Sequence, residues 1–141
     1  MFRLRYLLDI LLVASLVIKM ISIRGATTIE SNSSLEIKFK SIELIEEIIK
    51  RNNLNINDIH TLIFSCTKYI TAAYPGAFVR EHFNFSNVSI MHFNEMEVEK
   101  SLNKCIRVLI LSNESKEKVN FIYLHNAKQL RKDLIKDEDL F

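Results

Sequence analysis

Apolar positions along the chain repeat with period two in some blocks and with helical period in others, and the two kinds alternate. Ile21-Ser22-Ile23-Arg24-Gly25-Ala26-Thr27-Thr28-Ile29-Glu30 is rich in β-branched residues and predicts a first strand. Asn32-Ser33-Ser34 opens a helix, because Ser33 and Glu36 stand at capping-box spacing. Leu35, Phe39, Ile42, Ile45 and Ile49 then keep one apolar face as far as Lys50, with Lys40, Glu43, Glu46, Glu47, Lys50 and Arg51 as the solvated face. Asn52-Asn53 ends that helix and Asn55–Asp58 makes a turn. Ile59–Cys66 is a second, largely buried strand in which His60 is a surface residue, and Thr67–Pro75 is a loop. Pro75 suits the first turn of a short helix through His82. Val88–Phe93 alternates as a third strand that delivers Asn94-Glu95-Met96 at its end. Residues 104–111 form a fourth strand, and Val119–Lys128 a fifth carrying Tyr123. Leu130-Arg131-Lys132-Asp133-Leu134 begins a polar tail expected to fray towards Phe141. The order β-α-β-α-β-β-β predicts an α+β or α/β sandwich with five strands and helices on one face.

Two arginines interrupt this apolar pattern. Arg107 lies within Cys105-Ile106-Arg107-Val108-Leu109-Ile110-Leu111, where alternation places its side chain in the interior or in a cleft. A guanidinium keeps its charge, so desolvating it without an anion is costly. An internal Arg–carboxylate pair and an anion site built on the strand both satisfy that demand. Arg24 is the second arginine set into a strand, and Gly25 beside it lets a backbone or ligand approach closely.

Composition narrows the class. With 48% hydrophobic residues but two Gly and one Pro, 141 residues fit one packed domain. Arg3, Arg5 and Lys19 against Asp9 account for the net charge of +2, so the remaining chain is formally neutral. It has no basic run for nucleic acid to grip. Cys66 and Cys105 sit in apolar strands, which predicts buried free thiols in a reducing compartment. The cysteines and four histidines show no metal-ligand spacing. At the N-terminus, Ile10–Ile18 is apolar except for Ser15, too short for a span of about 20 residues. It has the look of a signal-peptide core without a clean cleavage site. Three readings stay open for residues 1–19: an extension upstream of a true start at Met20, a targeting segment, or a membrane-associated helix.

Five blocks together resemble a known family. They are Ile23-Arg24-Gly25-Ala26-Thr27-Thr28-Ile29-Glu30, Tyr74-Pro75-Gly76-Ala77-Phe78-Val79-Arg80-Glu81, Glu95-Met96-Glu97-Val98, Lys104-Cys105-Ile106-Arg107-Val108 and Val119–Leu134. In order and spacing they resemble the trimeric α/β class of chorismate mutase across Ile21–Leu134, which favours Met20 as a start. The resemblance implies a chorismate mutase domain over residues 20–134, with a flexible tail at 135–141. It implies a mixed sheet that forms a pseudo-barrel in a homotrimer, with active sites at subunit interfaces. The implied reaction is the Claisen rearrangement of chorismate to prephenate, in the shikimate route to phenylalanine and tyrosine. No cofactor or metal is implied, and the compartment is cytoplasmic or an organelle stroma such as the plastid's. Export or membrane contact would come only through residues 1–19.

The resemblance also implies residue roles. Arg107 faces the breaking ether oxygen, and Arg24 and Tyr123 hold the enolpyruvyl carboxylate. Glu95 accepts the ring hydroxyl. Tyr74, Gly76, Met91 and Leu130 line the site, while Arg80 and Arg131 close its rim. Arg24, Glu95, Arg107 and Tyr123 of one subunit would face Tyr74 and Arg80 of a neighbour. Three positions depart from the family pattern: Ala77 stands for a usual Lys, His92 for a Cys beside Glu95, and Lys132 for a Pro. His92 either fills space or donates to the substrate hydroxyl. Rival classes are a trimer like the small imine deaminases, a non-catalytic carboxylate-binding trimer, and a membrane-bound adaptor organised around residues 1–20.

Overall fold

The structure is a computed structural model and describes residues 2–15 and 19–135. The expected flexible tail after residue 135, like residues 16–18 of the apolar N-terminal run, lies outside the described residues. Among those described, the strands are β1 (Ile21–Thr28), β2 (Ile59–Cys66), β3 (Ser89–Asn94), β4 (Cys105–Ser112) and β5 (Ile122–Tyr123). They form one five-stranded sheet in the order β3-β2-β4-β1-β5. The sheet is mixed: β4 is antiparallel to both β1 and β2, whereas β1–β5 and β2–β3 are parallel. Helix α1 (Phe2–Ser15) precedes the sheet and exposes Phe2, Leu4, Leu7 and Leu11. No helix among the described residues is long and apolar enough to cross a membrane.

Helix α2 (Ser34–Asn52) starts where its cap predicts. The Ser33 hydroxyl accepts the Glu36 N–H at 3.2 Å, and the Glu36 carboxylate accepts from the Ser31 N–H, the Ser31 hydroxyl and the Glu30 N–H. The Glu30 N–H bond comes first among the causes that draw the Glu36 carboxyl down to about 2, and the two Ser31 bonds follow. Because the folded value lies below the unfolded one, this contribution is complete above the ordinary glutamate range and fades as pH falls towards 2. Glu36→Gln is therefore expected to cost about 1 kcal/mol, the size of a capping interaction, at pH 7 and close to nothing at pH 2. Urea midpoints at the two pH values check this.

The buried face of α2 overlaps the one the apolar spacing suggested but is shifted from it. Ile42 and Ile45 are buried as expected and Ile49 packs against the core, but Ile37, Ser41, Leu44 and Ile48 are buried as well, whereas Leu35 and Phe39 are exposed. Gly25 supplies the reason. A Cβ there would stand 2.6 Å from Ile48 Cδ1 and 3.1 Å from Leu44 Cδ1, so the bare backbone of β1 sets where the helix docks. Ile23, Leu62, Phe64, Ile106, Val108 and Ile110 complete this core with Val79 of α3 (Pro75–Phe83).

The fifth strand is shorter than its alternating pattern suggested, and Leu130–Leu134 belong to a 3-10 stretch rather than to a tail. Only Ile122–Tyr123 pair, with Gly25 and Ala26. Before them, the Asn52 side-chain amide takes the place of a strand partner: it accepts the Asn120 N–H at 2.7 Å and donates to the Asn120 carbonyl at 2.9 Å. After them the chain turns at His125 (φ 53°) into a 3-10 stretch, His125–Leu134. Ala127 and Leu130 pack there against Ala26, Cys105 and Tyr123, covering one margin of the sheet face opposite α2 and α3.

Candidate active site

Among the described residues that opposite face carries no α-helix, and alternation along the strands puts Arg24, Ala26, Ser65, Met91, Arg107 and Leu109 on it. Arg107 stands in register with Ala26 on one side and Ser65 on the other, and these small neighbours leave room for its side chain. Arg24 pairs with Leu109, which makes it the diagonal neighbour of Arg107, about 7–8 Å away between backbones. Tyr123 pairs with Ala26 from the far side. Four strands thus bring together residues separated by a hundred positions.

Glu95 lies one residue beyond β3. Its N–H donates to the Cys66 carbonyl at 2.8 Å, and its Oε2 accepts from the Ser65 hydroxyl at 2.7 Å. The same oxygen is 3.4 Å from Arg107 Nε. The approach is an ion pair without hydrogen-bond alignment: Arg107 Nε is buried and has no hydrogen-bond partner among the described residues. The internal carboxylate expected for Arg107 is therefore present as Glu95. That carboxylate nevertheless leaves Nε of the guanidinium without a hydrogen bond among the described residues. Arg24 is exposed, and its side chain has no hydrogen bond or ion pair among the described residues. Glu95 pairs with Arg107 alone, so the second guanidinium on this face, that of Arg24, leaves an excess of positive charge for an anion.

Tyr123 is half-buried and close enough to Arg131 for the two groups to interact electrostatically. Arg131 sits at the kink of the 3-10 stretch and is held by both oxygens of Asp133, at 2.9 and 2.7 Å. One cavity of about 330 Å³ is lined by Glu95 with Thr67, Tyr69 and Met96. Another of about 580 Å³ takes in Tyr123 and Arg131. Neither includes Arg24 or Arg107.

Tyr74, Gly76, Arg80 and His92 gather elsewhere, on the helix-bearing side of the edge strand β3. The His92 ring stacks on Phe64 at 5.3 Å and meets Tyr74 at 5.1 Å. Its Nε2 accepts the Gly76 N–H at 2.9 Å, supplying the helix α3 N-terminus with the acceptor that Tyr74 does not provide. Burial first, and then the charge of Arg80, hold the His92 imidazole below its ordinary value, which keeps Nε2 free to accept. Of its two expected roles, His92 has the packing one within the chain. A Cβ on Gly76 would lie 2.8 Å from His92 Nε2 and 2.5 Å from Ile90 Cγ2. Gly76→Ala is expected to lower stability by about 1–3 kcal/mol through overpacking, and by measurably less when His92→Ala opens the space. A double-mutant cycle of urea unfolding reads the difference.

Chemically, the open face offers binding and charge rather than covalent attack. Burial pushes the Cys66 thiol up to about 12, and raises Cys105 as well against the opposing pull of Arg107. Neither is a thiolate nucleophile at neutral pH. Among the described residues, no three His, Cys, Asp or Glu side chains cluster as a metal site would require. Ser65 and Asp133 were not singled out from the sequence. Ser65 could have been found as the polar residue sharing alternation with the face of Arg107, once β2 and β4 were known to pair.

Comparison with known proteins covers the same body of the chain. The family described as chorismate mutase type I matches residues 20–134. Chorismate mutase AroH of Bacillus subtilis (strain 168) is 34% identical over 114 residues, covering 79% of this chain and 90% of that protein. A solved chorismate mutase from Clostridium thermocellum superposes with a TM-score of 0.74 at 36% identity, covering 77% of this chain and 98% of that one. On the strength of that span and identity, the chain belongs to the chorismate mutase type I family.

Proposed function

We propose that this chain catalyses the rearrangement of chorismate to prephenate, at a site completed between the subunits of a homotrimer. The observation that carries the reaction is the buried, unsatisfied Nε of Arg107, set beside Glu95 and diagonal to Arg24. Chorismate is a dianion, and the reaction needs no nucleophile or proton transfer. The carbon–oxygen bond breaks as the carbon–carbon bond forms, once the side chain folds over the ring. Arg24 and the Tyr123 hydroxyl hold the enolpyruvyl carboxylate, and Glu95 accepts the ring hydroxyl and aligns the ring. Arg107 meets the ether oxygen as it gains negative charge, an interaction stronger in the transition state than in the ground state. Leu130 and Arg131 close the site over Tyr123.

Support for a shared site comes from the separation of the two residue groups. Tyr74, Gly76, Arg80 and His92 cannot reach a ligand on the open face of their own chain, but an edge strand can offer them to a neighbour. The open face itself exposes Met91 and Phe93, apolar area suited to burial in an assembly. Residues 20–134 are the catalytic unit in this reading, and the buried thiols fit a cytoplasmic enzyme supplying phenylalanine and tyrosine synthesis. An imine deaminase would need one carboxylate-binding arginine, which leaves Arg24, Glu95 and Arg107 together without a purpose. The test is chorismate consumption by the purified full-length chain with prephenate identified as product, alongside sedimentation. Turnover by a trimer supports both parts. A folded chain without turnover refutes the reaction, and an active monomer refutes the shared site.

A further inference from the structure

Ser65 is outside the set of residues given roles above, yet it holds the carboxylate on which two of them depend. The end of β2 anchors Glu95 twice: the Cys66 carbonyl takes its N–H at 2.8 Å, and the Ser65 hydroxyl donates to its Oε2 at 2.7 Å. Ser65 also stands in register with Arg107 across β2 and β4, on the same face. Oε2 is therefore committed to Ser65 while lying 3.4 Å from Arg107 Nε, and Oε1 is left without a hydrogen bond among the described residues.

We propose that Ser65 is a positioning residue for the rearrangement: its hydroxyl keeps Glu95 Oε1 turned to the substrate and prevents the carboxylate from closing on Arg107. This rests on the mutase function argued above. The physical reason is orientation: a carboxylate oxygen can accept two hydrogen bonds, but the Ser65 bond fixes Oε2 where Arg107 Nε is 3.4 Å away and out of alignment. Arg107 Nε is a buried donor with no hydrogen bond, and a shift of about 0.5 Å would give it a charge-assisted one to Oε2. The Ser65 bond holds the carboxylate short of that alignment. Without the hydroxyl, Oε2 swings onto Nε, Oε1 turns away from the ring hydroxyl, and the guanidinium is spent on a protein carboxylate. The ether oxygen then finds a partly neutralised partner at the moment its charge develops, so the loss falls on kcat.

The experiment compares the full-length wild type with Ser65→Ala and Ser65→Thr, and repeats Ser65→Ala in a Glu95→Ala background. Ser65→Ala is expected to lower kcat about tenfold or more, with KM within about twofold and the thermal midpoint unchanged. Ser65→Thr, which keeps the hydroxyl, is expected to restore most of kcat. In the Glu95→Ala background the Ser65→Ala change should have little further effect, which a merely structural role would not reproduce. A wild-type chain without turnover refutes the function itself. If the wild type turns over chorismate, the Ser65 role is overturned by any of three results: Ser65→Ala within twofold of it, Ser65→Ala and Ser65→Thr alike, or the loss appearing wholly in KM. Should Glu95→Ala leave no measurable rate, the Ala–Thr contrast and the kcat–KM split decide.

Discussion

Arg107→Ala is expected to lower kcat for chorismate by about a thousandfold, or about 4 kcal/mol of transition-state stabilisation, while KM changes far less. The size follows from where the guanidinium sits. It is three-quarters buried between small neighbours, and its Nε has no hydrogen bond to give up when an ether oxygen begins to carry charge. In such a site a fixed cation acts through a low dielectric and needs no reorganisation. Arg107→Lys is expected to recover only a small part of the rate, because an ammonium is a compact point charge that cannot reproduce the planar fork. Folding should tolerate Arg107→Ala, since the change removes a buried donor that has no hydrogen bond and leaves Glu95 its bond from Ser65. Steady-state kinetics with thermal unfolding run beside it checks both halves. A loss confined to KM would mean that Arg107 only binds substrate.

Phe64→Ala is expected to remove about 3–5 kcal/mol of stability, a large share of the 5–15 kcal/mol typical of a domain. Phe64 is fully buried on β2, which is flanked by β3 and β4 and therefore cannot relax outward. Its ring also supports His92 from below, so the cavity should loosen the acceptor that holds Gly76 and the Tyr74 ring beside it. Urea unfolding measures the loss, and chorismate kinetics on the surviving folded fraction should show a raised KM. Phe93 is the informative contrast. It lies on the open face and is half exposed in the single chain, so Phe93→Ala should cost little there. Should that face pack against a neighbour, the same change would instead make stability depend on protein concentration.

Much of this protein was legible in the residues themselves. The cap at Ser33 and Glu36, the Pro75 start of α3, the strand runs at residues 21, 59 and 105, and the misfit of Arg107 in an apolar strand all follow from local chemistry. Each is a property of neighbours along the chain, where spacing alone carries the physics. Part of the α2 face (Leu35 and Phe39) and the length of β5 differ from the sequence reading because both depend on partners far away. Gly25 fixes the first by letting Leu44 and Ile48 descend onto bare backbone, and Asn52 fixes the second by occupying Asn120 before a strand could form.

The candidate site divides along the same line. That arginines on two strands, a glutamate after a third and a tyrosine near the end belong together is carried by the sequence blocks and their order. That Ser65 takes one oxygen of Glu95, leaving Arg107 Nε buried and unsatisfied, appears only when β2 and β4 are laid in register. That His92 turns to Gly76 rather than to Glu95 is likewise decided by the pleat, which sends residues of odd separation to opposite faces of the sheet. The chain alone determines which side chains are present and how each strand alternates. Pairing determines which of them share a face, and hence which charges are left for a substrate.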